Sequence, residues 1–131
     1  NKDRKKVQTS VDAYNILLNN HDDGTIDYTE TFKVLYLNHA GQVVGCITVS
    51  KGGITATSVD VRNVLQGALL TNAVAMILGH NHPSGNVKPS REDERITDQI
   101  NKAAQLLNIR VLDHIVYTRE NHFSFSDQGR L

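Results

Sequence analysis

The spacing of hydrophobic residues divides the chain into helical and extended segments. Apolar positions recur every three to four residues after Ser10, after Ser58 and over 91–107, which predicts three amphipathic helices, the first two capped by Ser10 and Ser58. Segments rich in β-branched, aromatic and aliphatic residues predict strands. These strands cover residues 29–38, 42–50, 73–78, 109–117 and 123–126, with 54–57 as a candidate extension of the sheet.

The order of these segments predicts the fold class. A hairpin-like turn lies at 38–41, and a strand–helix–strand passage begins at Ala73. This order favours an α/β (α+β) fold in which helices flank a mixed β-sheet. With 131 residues and no linker, the chain is expected to form one domain, 1–131, with a flexible N-terminal tail over 1–9.

The composition narrows the functional classes. Fourteen basic and fourteen acidic residues cancel, whereas domains that bind nucleic acid mainly through phosphates carry a basic excess. Net charge therefore gives no support to nucleic acid as a partner. No apolar run approaches the roughly 18 residues of a membrane span, so no membrane association is expected. Cys46 is the only cysteine; it is expected to be a core thiol, and the lack of a disulfide pair fits a cytoplasmic location.

The stretch from Gly79 to Asp93 carries the candidate chemistry. It reads GHNHPSGNVKPSRED and follows the predicted strand over 73–78. Side chains at positions i and i+2 of a strand share a face, so His80 and His82 can point at one ion, and Asp93 can supply an oxygen ligand. Two nitrogens, one carboxylate and an open fourth position are typical of a catalytic zinc site.

The same residues allow a structural interpretation. Ser90 and Asp93 have the spacing of a capping box in which Asp replaces the usual Glu or Gln. A His-x-His pair alone is a weak metal signal. Capping and metal binding are compatible, because a ligand in the first turn of a helix is held firmly. Both interpretations stay open on the residues alone.

The motif in its longer form resembles a known family. His80-x-His82, seven residues, Ser90, two residues and Asp93 resembles the signature of the JAMM (MPN-type) metalloproteases. The letters HNHPSG and PSRED, followed later by Leu-Asp-His at 112–114, are similar to the bacterial RadC-like branch of that family. The similarity covers most of the chain.

This resemblance implies a fold, a cofactor and an activity. The fold is MPN/JAB-like (cytidine-deaminase-like), with Zn²⁺ bound by His80, His82 and Asp93. The implied reaction is hydrolysis of peptide or isopeptide bonds in a peptide or protein substrate. The resemblance assigns Ser90 to polarising the scissile carbonyl and an upstream glutamate to the role of general base. Glu30 is the only glutamate before the motif and is the candidate.

Two other functions remain alternatives. RadC-like proteins carry a DNA-repair label and usually have a helix-hairpin-helix segment before this domain, which implies an accessory role in repair or recombination with a structural or vestigial metal. A metal-free interaction domain is the third hypothesis, and the intact motif argues against it. Glu30 favours the enzyme, since binding alone needs no base. Asp113 and His114 are expected to have a structural role, and His21 is expected at the surface.

Overall fold

A computed structural model describes residues 4–131 of the chain. Three α-helices and five β-strands lie in this range. The helices are α1 (Ser10–Asn19), α2 (Val61–Leu70) and α3 (Arg91–Leu106), and the strands are β1 (Thr31–Leu37), β2 (Val43–Lys51), β3 (Ala75–Asn81), β4 (Arg110–Tyr117) and β5 (His122–Ser124). None of these helices is long and apolar enough to cross a membrane.

The strands form one mixed sheet in the order β2-β1-β3-β4-β5. β1 pairs antiparallel with both β2 and β3, β3 and β4 run parallel, and β5 is antiparallel to β4. The parallel pair is joined through α3, because parallel strands need a crossover connection. The predicted α+β domain, with a mixed sheet flanked by helices, is confirmed.

Helices cover both faces of the sheet. On one face, α2 and α3 pack against residues of the central strands that include Tyr36, Met76 and Leu78. On the other face, α1 packs against the intervening residues, which include Leu35 and Ile77. β1 and β3 are therefore buried on both sides along their full length. This explains why both strands read as nearly continuous apolar runs rather than alternating ones.

The caps of α1 and α2 are Thr9 and Asp60. The predicted caps, Ser10 and Ser58, were therefore wrong. Ser10 is the first helical residue, while the Ser58 hydroxyl donates to the carbonyl oxygen of Thr55 within a turn. That turn takes the place of the predicted sheet extension. In both cases a neighbouring Thr or Asp offers its side-chain oxygen to the first backbone N–H groups of the helix.

The strand that leads to the histidines is longer than predicted. It was expected over 73–78, but β3 starts at Ala75 and continues to Asn81, because β1 pairs with it as far as His80 and β4 as far as Asn81. Phe32 of β1 lies opposite His80, and Tyr117 of β4 lies beside Asn81. Neighbouring strands therefore fix the backbone around the first histidine.

Two residues have the opposite exposure to that predicted. Cys46 is exposed rather than in the core. It lies on the edge strand β2, whereas α1 packs further across the sheet, against β3 and β4, and leaves Cys46 uncovered. His21 is buried rather than at the surface, and its Nδ1 lies 2.7 Å from the hydroxyl oxygen of Tyr117. A hydrogen-bond partner distant in sequence draws this turn inward.

The start of the chain extends the sheet edge. Of the predicted tail over 1–9, residues 1–3 lie outside the described residues. The carbonyl of Lys5 accepts a 2.7 Å hydrogen bond from the N–H of Val43, and the N–H of Val7 donates to the carbonyl of Gly41 at 2.8 Å. The described part of this segment is therefore attached to the beginning of β2.

Candidate metal centre

Strand β3 brings two histidines to one end of the sheet. His80 lies within β3, and His82 follows just after its end. Their rings meet edge to face, with centroids 4.8 Å apart. The backbone N–H of His82 donates to the carbonyl of Tyr117 at 2.9 Å, so pairing with β4 continues to the second histidine. The i, i+2 spacing can therefore direct both imidazoles to the same side.

Helix α3 brings a carboxylate to the same place. The hydroxyl oxygen of Ser90 accepts a 3.1 Å hydrogen bond from the N–H of Asp93, and Oδ2 of Asp93 accepts one of 2.8 Å from the N–H of Ser90. This is the predicted capping box with Asp in the third helical position. The positive end of the helix dipole also favours a carboxylate here. The cap explains how Asp93, although fully buried, is held at the helix start.

The Asp93 carboxylate lies between the two imidazoles. Its Oδ1 is 2.7 Å from Nδ1 of His80, and its Oδ2 is 3.1 Å from Nε2 of His82. One candidate ligand atom from each of the three residues lies within 4.8 Å of the others. The structure therefore brings together the three residues that the sequence singled out, and this cluster could hold a metal ion.

Charges within the cluster are mutually stabilised. Burial acts to raise the pKa of Asp93, but hydrogen bonds with His80 and His82 outweigh it and hold the pKa of this carboxyl well below its usual range. Burial also acts against a charged His82, but the hydrogen bonds with Asp93 and Asn86 and the negative charges of Asp93 and Glu30 together outweigh it and raise the pKa of the imidazole. Asp93 is therefore ionised, as a metal ligand must be, while a proton on His82 competes with a metal.

The surroundings of both imidazoles fit a bound cation. Nε2 of His80 is buried and has no hydrogen-bond partner among the described residues, an unfavourable state for a polar atom. Nδ1 of His82 lies 2.8 Å from the carbonyl oxygen of Asn86. This contact assigns the proton of a neutral His82 to Nδ1 and leaves the lone pair on Nε2 for an ion. Two imidazoles and one carboxylate are a donor set that zinc accepts.

Glu30 lies at the edge of the same cluster. Its Oε2 is 3.8 Å from Nε2 of His80 and accepts a 2.9 Å hydrogen bond from the backbone N–H of Ile54. The carbonyl of Glu30 accepts a further 2.9 Å bond from the N–H of Gly52. The side chain is 36% exposed. The predicted base is thus anchored, accessible from solvent and next to the unpartnered nitrogen of His80.

A cleft of about 510 Å³ opens over these groups. Tyr28, Ile54 and Pro83 contribute apolar surface to its walls, and Ser90 and Glu92 contribute polar groups. Because the hydroxyl oxygen of Ser90 acts as the acceptor in the helix cap, its proton remains available to a molecule in the cleft. Another cavity, of about 620 Å³, lies near the opposite end of β4 and is lined by none of these groups.

Sequence analysis missed a hydrogen-bond chain behind the cluster. His114 is buried, and its Nδ1 lies 2.5 Å from Oγ1 of Thr97. The Thr97 hydroxyl donates to the backbone carbonyl of Asp93 at 2.7 Å. Burial lowers the pKa of His114 to about 3, so this imidazole is neutral and donates to Thr97 through Nδ1. The i, i+4 spacing of Asp93 and Thr97 on α3 was the only local signal of this arrangement.

Comparison with known proteins reveals close relatives. Residues 7–130 match the RadC-like JAB domain. A UPF0758 protein of Flavobacterium johnsoniae is 41% identical over 125 residues, which cover 95% of this chain and 53% of that protein. The UPF0758 protein YeeS of Escherichia coli is 44% identical over 102 residues, which cover 78% of this chain and 69% of that protein.

The match is to a domain rather than to whole proteins. A UPF0758 protein of Salinibacter ruber is 42% identical over 119 residues, which cover 91% of this chain and 48% of that protein. The chain thus spans about half the length of several curated relatives that it matches. The names of these relatives state no activity. Because the domain match extends over nearly every residue, the chain belongs to the RadC-like JAB domain family.

Proposed function

We propose that this domain is a zinc-dependent hydrolase of peptide or isopeptide bonds. The observation that carries the proposal is the position of Glu30. A carboxylate held 3.8 Å from a buried imidazole nitrogen, beside two further candidate ligands, has the arrangement of a general base next to a metal. A purely structural metal site needs no such accessible carboxylate.

The proposed division of labour follows from the donor set. Zinc in a site of this kind supplies Lewis acidity, which polarises a carbonyl group and lowers the pKa of a water molecule. His80, His82 and Asp93 would hold the ion. The N–H of Ile54 holds Oε2 of Glu30, which leaves Oε1 to accept a proton from the attacking water and return it to the leaving amine.

Ser90 would act on the substrate. Its hydroxyl proton is available in the cleft because its oxygen accepts from Asp93. A hydroxyl donor aimed at a carbonyl oxygen stabilises the negative charge that develops there during hydrolysis. The apolar walls formed by Tyr28, Ile54 and Pro83 would contact the polypeptide substrate.

The decisive experiment measures zinc binding and hydrolysis separately, so that loss of the general base is distinguished from loss of the metal. The zinc-loaded wild type, Glu30→Gln and, as a matched control, Glu120→Gln are incubated with a peptide library and with isopeptide-linked peptide pairs. Glu120 is exposed in the turn after β4. All three proteins should bind one equivalent of zinc, and only Glu30→Gln should lose hydrolysis, by roughly 10²–10⁴-fold, the usual effect of removing a general base.

Two results would contradict the proposed hydrolase function. One is a zinc-loaded wild type that cleaves none of these substrates, and the other is cleavage that Glu30→Gln leaves unchanged. DNA binding that weakens with salt and survives Glu30→Gln, in a protein without hydrolytic activity, would instead support the accessory role in repair or recombination.

A further inference from the structure

Asn81, the residue between the two histidines, points away from them. Side chains alternate between the faces of a strand, so Asn81 faces the α1 side of the sheet. It is fully buried. A buried polar side chain is unfavourable unless its hydrogen-bonding groups are satisfied, so the contacts of this amide show what holds it there.

Within the described part of the chain, the hydrogen bonds of the Asn81 side chain all go to one segment, residues 26–31. Its Nδ2 donates to the carbonyl oxygens of Ile26 at 3.0 Å and Thr29 at 2.9 Å. Its Oδ1 accepts a 2.7 Å hydrogen bond from the backbone N–H of Thr31. The last two contacts are to the residues immediately before and after Glu30. These three hydrogen bonds, the Asn81 clamp, therefore hold the backbone on both sides of the candidate base Glu30.

We propose that Asn81 is a positioning residue, which fixes the backbone of Glu30 so that its carboxylate faces the cluster formed by the flanking histidines. The end of β3 then positions both the candidate ligand and the candidate base. His80 projects from one face of the strand, and Asn81, on the opposite face, holds the backbone of Glu30. This inference rests on the proposed function, because it assigns Asn81 a role through the base.

The side-chain chemistry at this position is demanding. The clamp uses two N–H donors and one carbonyl acceptor at the end of a short side chain, and asparagine is the residue that offers this set. Alanine would leave one backbone N–H and two carbonyl groups without these partners. Aspartate would keep the acceptor for Thr31 but would place a buried carboxylate against the carbonyl oxygens of Ile26 and Thr29.

The test compares Asn81→Ala with Tyr117→Phe. Tyr117 lies beside Asn81 in the sheet, and its hydroxyl bonds to His21 rather than to the Glu30 segment. Each substitution removes buried hydrogen bonds on the same face, but only Asn81→Ala removes the clamp. The readout is the backbone amide of Ile54, which donates to Oε2 of Glu30 and whose NMR chemical shift and hydrogen exchange therefore report the position of that carboxylate.

We expect Asn81→Ala to shift the Ile54 amide and speed its exchange by about tenfold or more, while zinc content stays at one equivalent. Tyr117→Phe should lower the melting temperature and leave this amide unchanged. On a cleaved substrate, Asn81→Ala should lower kcat by roughly 10²-fold, the effect of displacing a reacting group by about 1 Å, with KM nearly constant.

An unchanged Ile54 amide in a folded Asn81→Ala protein would overturn the proposal. If that variant does not fold, the wild type decides the question. Both Nδ2 protons of Asn81 should then exchange slowly and show scalar coupling across hydrogen bonds to the carbonyl carbons of Ile26 and Thr29, and rapid exchange with no coupling would overturn the proposal. A shifted Ile54 amide resonance in Asn81→Ala, together with a wild type that cleaves no substrate, would contradict the proposed hydrolase function and support the positioning role of Asn81.

Discussion

Phe32 in β1 lies directly opposite His80 in β3. This pairing brings Glu30, two positions before Phe32, to the end of β3 where the candidate metal ligands lie. Glu30 and His80 are far apart in sequence, and antiparallel register makes them neighbours. A slip of one residue in this pairing would turn every side chain of β1 to the opposite face, away from the core residues against which it packs.

Metal binding should depend on His80 and His82. The His80→Ala, His82→Ala double variant should lose its zinc, whereas His39→Ala, in an exposed turn, should retain it. Metal analysis after gel filtration measures this. A double variant that keeps a full equivalent of zinc would place the site elsewhere.

The pH dependence has opposite signs with and without metal. Burial acts against a charged His82, but its hydrogen bonds with Asp93 and Asn86 and the nearby carboxylates together raise its pKa above the ordinary value of 6.5. In the metal-free protein, the stability contributed by charged His82 is fully present below 6.5 and is lost as pH rises through the folded pKa. Zinc binds only the neutral imidazole. The stabilisation that zinc gives the folded protein therefore grows as pH rises through the pKa of His82. The difference in melting temperature between zinc-loaded and chelated protein should therefore widen from about pH 5 to about pH 8, and a difference that narrows would contradict this.

Ser90→Ala should weaken the start of α3 without removing the metal. The substitution deletes the acceptor for the N–H of Asp93, and loss of such a cap costs roughly 0.5–2 kcal/mol in the free energy of unfolding. Thermal melting of the metal-free protein measures the effect, with Ser126→Ala, an exposed serine whose backbone rather than side chain bonds to Asp113, as the control. Equal melting temperatures for the two variants would show that the cap contributes nothing.

Gly67→Ala should destabilise the protein although alanine favours helices. A Cβ atom at Gly67, within α2, would lie 2.3 Å from Oη of Tyr36. The Tyr36 ring is buried, and its hydroxyl donates to the carbonyl of Val64 at 2.6 Å, so it cannot move aside freely. Overpacking of this kind costs roughly 1–3 kcal/mol, which exceeds the gain of at most about 1 kcal/mol in helix propensity.

Gly53→Ala is the matched control for this substitution, because a Cβ atom at Gly53 would have no neighbour within 4 Å. Urea unfolding of both variants should show a loss for Gly67→Ala and little change, or a small gain, for Gly53→Ala. A Gly67→Ala protein as stable as the wild type would mean that α2 and β1 can move apart at no cost.

The ligand cluster was predictable because its signals are local. His80 and His82 share a strand face by spacing alone, and Ser90 with Asp93 has the spacing of a helix cap. The order of strands and helices likewise follows from hydrophobic periodicity. By contrast, the cap predicted at Ser58 is found at Asp60; the two residues lie so close that sequence alone does not place the first helical turn.

The supporting contacts were not predictable because they depend on distant partners. Asn81 looked like the spacer of a His-x-His motif, and only the position of Ile26–Thr31 reveals its three hydrogen bonds. His21 is buried because Tyr117 reaches it. Cys46 is exposed because β2 forms the sheet edge, and strand order is a property of the whole fold rather than of the segment.

The two halves of the candidate site are brought together by contacts of very different sequence separation. His80, His82 and Asp93 lie within a single strand–helix–strand unit, β3-α3-β4, whose parts are consecutive in the chain. Glu30 joins them only when β1 pairs with β3, which closes a loop that contains all of β2 and α2. Contacts that close long loops form slowly, because chain entropy is lost before the contact is gained. We therefore expect a refolding chain to acquire its metal ligands before its base, so that zinc uptake precedes the recovery of hydrolytic activity.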